Sequence, residues 1–130
     1  MINATSLKSS FLPAISWFII VTVLLCLPGT EFPKISWLNK IFFDKWVHIG
    51  LFMTMVIFWC RAFTDKKTLN KSLKKTFIAI MIMSITYGII MEIIQHYFIP
   101  FRSFEAGDIL ADSTGSLVGY LFSFRRYIKK

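Results

Sequence analysis

Ten polar side chains stand where a largely apolar chain has little reason to carry them: Asp44, Lys45, His48, Glu92, Gln95, His96, Arg102, Glu105, Asp108 and Asp112. Carboxylates beside an imidazole can pass protons or hold a cation. Lysine and arginine can bind phosphate or carboxylate, and a glutamine amide can orient a neighbouring amide or hydroxyl. Spacing groups these residues. At 100° per residue, Asp44 and His48 share one helical face. Ser84, Gly88, Glu92 and Gln95 line a second, and Asp108, Asp112, Gly115 and Gly119 a third. Glycines on the same stripe as acids point that stripe toward protein, because glycine lets helices approach closely.

Four apolar stretches must position these groups. Hydrophobic residues make up 55% of the 130 residues and charged ones 17%, against roughly 45–50% and about 25% in soluble domains. With fourteen Phe and four Trp, the chain has more apolar surface than a soluble fold of this size can hide. The same excess rules out disorder. Two cysteines, Cys26 and Cys60, do not make a disulfide scaffold. The expected fold is all-α: one domain over residues 1–130, an integral membrane bundle of four transmembrane helices at about 11–27, 45–63, 77–98 and 108–124. The first, Phe11 to Leu27, reads as an uncleaved helix, since CLPGTEFP offers no small-x-small cleavage site.

Insertion energies separate the last two helices. The third holds ten Ile and Phe, worth roughly 3–6 kcal/mol against about 2.5–3.5 for a mid-membrane acid such as Glu92. It inserts by itself. The fourth holds seven Leu, Ile, Val and Phe, roughly 2–4 kcal/mol, which a deep Asp112 would cancel. It therefore needs polar partners on its neighbours.

Basic residues set the expected orientation. With both termini in the cytoplasm, eleven Lys and Arg lie inside and four outside, as the positive-inside rule prefers. That places the chain in the bacterial cytoplasmic membrane, multi-pass, and puts nearly every unusual polar group at the outer face. The net charge of +8 is spread over cytoplasmic joints, where anionic lipid headgroups account for it without nucleic acid. Cys26 and Cys60 then lie near opposite surfaces, too far apart to bond.

Each polar residue also has an ordinary role open to it. Asp44 and Asp108 can cap helix N-termini. Lys45 can snorkel, Gln95 can join helices, and His96 can sit at the interface beside Tyr97. Trp37, Trp46, Phe42 and Phe43 suit an aromatic belt. Glu92 is the hardest to explain away, because an ionisable group inside a span marks function by default. Five acids (Asp44, Glu92, Glu105, Asp108, Asp112) against Lys45 and Arg102 leave a deficit that protons or a bound cation must fill. No ligand-spacing motif names a metal, and no cofactor, phosphate-loop or nucleophile motif is present.

Those residues also carry a resemblance. DKWVH at Asp44–His48, E-x-x-Q at Glu92–Gln95, Arg102, and D-x-x-x-D-x-x-G-x-x-x-G from Asp108 to Gly119 are similar to the VanZ-like membrane proteins. The similarity runs from about Asp44 to Tyr120. It implies a small bacterial multi-helix membrane protein, in a family whose founding member is associated with resistance to the glycopeptide teicoplanin. The family pattern has Asn where this chain has Asp112, so one acid is added at a hydrogen-bonding position.

The expected function is an outward-facing polar pocket of Asp44, Lys45, His48, Glu92, Gln95, Arg102, Asp108 and Asp112 that binds or handles a cell-envelope component. Candidate partners are membrane lipids, a lipid-linked envelope precursor or a glycopeptide, with no cofactor and no metal. Lys45 and Arg102 would face phosphate or carboxylate. A membrane enzyme using Glu92 or His48 as acid or base is the competing expectation, and a scaffold whose polar groups only lock helices is the third.

Overall fold

The computed structural model describes residues 4–29, 35–37, 42–64 and 73–129, with residues 4–10 described as backbone only. Lys34, Lys40, Lys66, Lys67, Lys71 and Lys130, used above for orientation, lie outside the described residues, and the side chain of Lys8 lies outside them too. Among the described residues four long helices follow one another: α1 (Ala4–Leu25), α2 (Phe43–Thr64), α3 (Leu73–Phe98) and α4 (Ala106–Ser123). A π-helical turn over Phe124–Ile128 continues α4. No strand occurs among the described residues.

The helices run further into polar sequence than the apolar stretches alone suggest. α1 begins at Ala4 rather than 11, since Ala, Ser, Leu and Lys continue a helix at little cost once the apolar part has nucleated it. It stops at Leu25, ahead of Pro28 and Gly29. α4 begins at Ala106, which moves Asp108 from cap to interior.

Of the four, α2 and α3 are long and apolar enough to cross a membrane by length and composition. α1 contains a shorter apolar segment, Phe11–Leu25. Much of the apolar surface is exposed: Ile82, Met83 and Ile90 on α3, Leu110 and Leu117 on α4, Leu12 and Ile19 on α1. Together with the two apolar helices, this outward greasy surface fits a membrane protein, because a soluble bundle would turn such residues inward.

The core has two unlike interfaces. α2 and α4 approach backbone to backbone. A Cβ on Gly115 would collide with the Ile49 carbonyl oxygen, and one on Gly119 would lie 2.7 Å from the Met53 carbonyl oxygen. Ile49 and Met53 are one turn apart, as are the glycines, so two ridges of α2 seat on a smooth groove of α4. On the other side, α1 joins through aromatic contacts. Trp17 Nε1 donates to the Leu51 carbonyl over 3.0 Å, Phe11 packs edge-on to Trp59 and Phe63, and Tyr87 Oη donates to Thr22 Oγ1 at 2.7 Å. Val21, Leu25, Phe52, Met55 and Met91 form the buried apolar cluster there. Cys26 is free and exposed, and Cys60 free and buried.

Candidate functional site

The start of α2, the end of α3 and the start of α4 meet at one end of the bundle, and the chain's unusual polar groups gather there. Asp44 and Lys45 lie in the first turn of α2 and Asp108 in the first turn of α4. Neither aspartate is an N-cap, contrary to the capping expectation. Glu105 is the N-cap residue of α4 and makes no side-chain cap bond.

Lys45 is the hub of the exposed layer. Its Nζ donates to Asp44 Oδ2 at 2.8 Å, to Asp108 Oδ1 at 2.5 Å and to Glu105 Oε2. Asp44, Glu105 and Asp108 lie close enough together to suit a metal ion, but the ammonium of Lys45 already occupies the centre of that trio. Gly107 makes this possible, since a Cβ there would come within 2.9 Å of Lys45 Cε. Asp44 and Glu105 remain about half exposed, whereas Asp108 is buried. The layer thus has two open carboxylates, with a partly exposed ammonium held between them and Asp108.

Below it lies a second, buried layer. His48 Nδ1 is 2.8 Å from Asp112 Oδ1, and Nε2 is 3.9 Å from Asp108 Oδ2. This short contact shares one proton between Nδ1 and Asp112 and holds the ring with Nε2 turned toward Asp108. Deeper still, Ser116 Oγ donates to the Asp112 carbonyl at 2.8 Å, which uses its only hydrogen. Ser84 Oγ must therefore donate to Ser116 Oγ, also at 2.8 Å. Gly88 clears the space for Asp112, because a Cβ there would lie 2.8 Å from Asp112 Oδ2. The result is a ladder of partnered polar groups from the rim to the middle of α3 and α4. In hydrocarbon each rung would be costly alone; together they satisfy one another.

Glu92, 1% exposed, belongs to the edge of this cluster. Its Oε1 accepts from the Glu105 backbone N–H at 2.6 Å, placing an acid beside the positive end of α4. Gln95 and Arg102 belong elsewhere. Gln95 Nε2 donates to the Leu25 carbonyl at 2.8 Å and Arg102 Nε to the Leu27 carbonyl at 3.2 Å. Both satisfy carbonyls left over at the end of α1, and Gly29 N–H donates to the Pro100 carbonyl nearby at 3.2 Å. A Cβ on Gly29 would strike the Phe101 carbonyl, so the turn after α1 and the α3–α4 loop are in close contact. His96 is exposed and stacks edge-on with Tyr97 and Phe104.

The eight residues assigned to one pocket therefore divide. Asp44, Lys45, His48, Asp108 and Asp112 form one connected network with Glu92 at its margin, while Gln95 and Arg102 clamp α1. Residues with no chemistry in their sequence pattern complete the network. Gly107 admits the lysine and Ser116 continues the ladder, while Glu105, already counted among the acids of the sequence, completes the carboxylate trio. Ser116 could have been found from its place one turn beyond Asp112; Gly107 had no signal beyond being a glycine at a helix start.

A family model described as VanZ/LLP1 matches residues 6–127 of this chain, nearly its whole length. No curated protein and no solved structure matches it.

Proposed function

The chain belongs to the VanZ/LLP1 family, and on that premise we propose that it is a four-span protein of the bacterial cytoplasmic membrane whose polar end faces outward and binds an amine-bearing cell-envelope component. Both termini then lie in the cytoplasm, as the count of basic residues favours. α1 and α4 cross the bilayer as companions of α2 and α3, with α4 held by the polar ladder that offsets its weak hydrophobicity.

One observation carries the choice of ligand. Lys45 is saturated by three carboxylates, so the phosphate-facing role expected for it is already taken up within the chain, and Arg102 turns its Nε to the Leu27 carbonyl at the end of α1. The groups that face outward are the carboxylates of Asp44 and Glu105. A primary ammonium reproduces the contacts that Lys45 makes, and it would enter the trio by sharing or displacing that lysine. An amino headgroup, or the free amine of a precursor peptide, has this chemistry.

The test uses purified protein in lipid nanodiscs with phosphatidylethanolamine as probe and its trimethylated counterpart, phosphatidylcholine, as control. Native mass spectrometry should show selective retention of the ethanolamine lipid, lost in an Asp44→Asn/Glu105→Gln double variant that folds normally. Equal retention of both lipids by the unaltered protein contradicts the reading. Teicoplanin susceptibility of cells with and without the protein tests the family's resistance link separately.

A second reading is favoured by the His48–Asp112 pair. A histidine oriented by a buried aspartate is the usual layout of a general base. Under this reading a lipid-linked substrate is turned over, and purified protein releases product at a rate that His48→Gln abolishes while Asp44→Asn only weakens binding.

A further inference from the structure

The bundle has a cavity far from its polar end, and its walls are unlike those of the polar site. α1 and α3 touch where Phe18 stacks on Tyr87, with ring centroids 5.0 Å apart. From there toward the Thr64 and Leu73 ends the described residues leave open space, while Phe11 packs α1 against α2. The wedge left between them is a slot of about 460 Å³ floored by α2. Phe18, Trp59, Phe63, Ala79, Met83 and Tyr87 are among its walls. Almost all of its surface is apolar: Ser84 reaches it, but its hydroxyl is engaged with Ser116.

We propose that this slot holds one hydrocarbon chain of an anionic membrane phospholipid whose headgroup sits at the basic end of the bundle. The volume lies within the roughly 300–1,000 Å³ of ordinary ligand clefts. A dry apolar slot inside a membrane protein is filled by what surrounds it, and around this one is lipid. Charge picks out the lipid. The slot runs toward the end where α2 finishes and α3 begins, and Arg61 in the last turn of α2 and Lys74 and Lys75 in the first turn of α3 stand there. Lys74 is turned toward α4, its Nζ 5.8 Å from the centre of the Phe124 ring. Lys75 stands one turn before Ala79 on the same face of α3, at the slot's edge. A phosphate there gains the attraction that juxtamembrane lysines give anionic lipid, and its chain covers aromatic surface that α1 and α3 leave apart.

The inference rests on the chain lying in a membrane and is independent of the amine reading of the polar end. The experiment is retention of phosphatidylglycerol, against phosphatidylcholine of the same chains, followed by native mass spectrometry as detergent strips the lipid. The unaltered protein is expected to keep one phosphatidylglycerol after phosphatidylcholine has been lost. Ala79→Trp and Met83→Trp, both at the slot's rim, should each lower retention about tenfold. Ile82→Trp, on exposed surface outside the slot, should leave it unchanged, and Lys75→Gln should lower the preference for the anionic lipid about fivefold. Asp44→Asn/Glu105→Gln should have no effect, which separates this site from the polar end. Circular dichroism identifies any variant that has lost helix, and Met83→Trp, at an exposed position, stands in if Ala79→Trp has. Full retention by folded Ala79→Trp and Met83→Trp, or equal retention of the two lipids by the unaltered protein, overturns the proposal.

Discussion

The α2–α4 interface and the α1–α3 interface solve the same packing problem in opposite ways. Between α2 and α4 the Lys45–Asp108 and His48–Asp112 pairs cross the interface, and glycines bring the backbones together around them. Between α1 and α3 the described residues make one hydroxyl pair, one aromatic stack and the Gln95–Leu25 hydrogen bond, and leave a gap at the other end. In lipid, apolar side chains gain nothing by meeting each other rather than acyl chains. Close packing therefore develops where polar groups and small residues demand it, and elsewhere the helices stay apart. The site and the tight interface coincide for that reason.

This contrast can be broken most severely at the glycines. Gly115→Leu would drive a side chain into the backbone of Ile49, which cannot move aside without shifting α2. A loss of about 3 kcal/mol or more is expected, read as a lower melting temperature in detergent, whereas Gly50→Leu, with open space around its Cβ, should be tolerated. Next comes Asp112→Leu, which leaves His48 buried without its partner. About 1–3 kcal/mol should be lost, again by thermal unfolding.

On the looser side the effects shrink. Gln95→Leu frees the Leu25 carbonyl and should cost about 1 kcal/mol, seen as faster amide exchange confined to the end of α1. Back on the polar ladder, Ser84→Ala removes the deepest rung, between α3 and α4, and should cost only about 0.6 kcal/mol, the average for a hydrogen bond between membrane helices. If Ser84→Ala proved as damaging as Asp112→Leu, the ladder would not be graded from rim to middle as drawn here.

Much of this arrangement could be read from helical spacing. Asp108 and Asp112 share a face one turn apart, as do Gly115 and Gly119, and in the fold both sets face α2. The need of α4 for polar partners followed from its few large apolar residues. Spacing could not say which residues of different helices would meet. Glu92, Gln95 and Arg102 look like one group in sequence, yet Glu92 reaches the start of α4 while the other two reach the end of α1. That difference depends on where α1 ends and how the Pro100–Phe104 turn folds over it, and long-range contacts of this kind leave no local periodicity. The slot was equally invisible, since a gap between helices is not a property of any one of them.

The central claim is that the His48 and Asp112 side chains act on each other inside the bundle and so couple α2 to α4. A double-mutant cycle with His48→Leu, Asp112→Leu and the pair together, measured by unfolding in lipid, tests it most directly. A coupling of about 1 kcal/mol or more is expected, with the double variant no less stable than Asp112→Leu alone. Strictly additive losses would show that the two side chains do not meet.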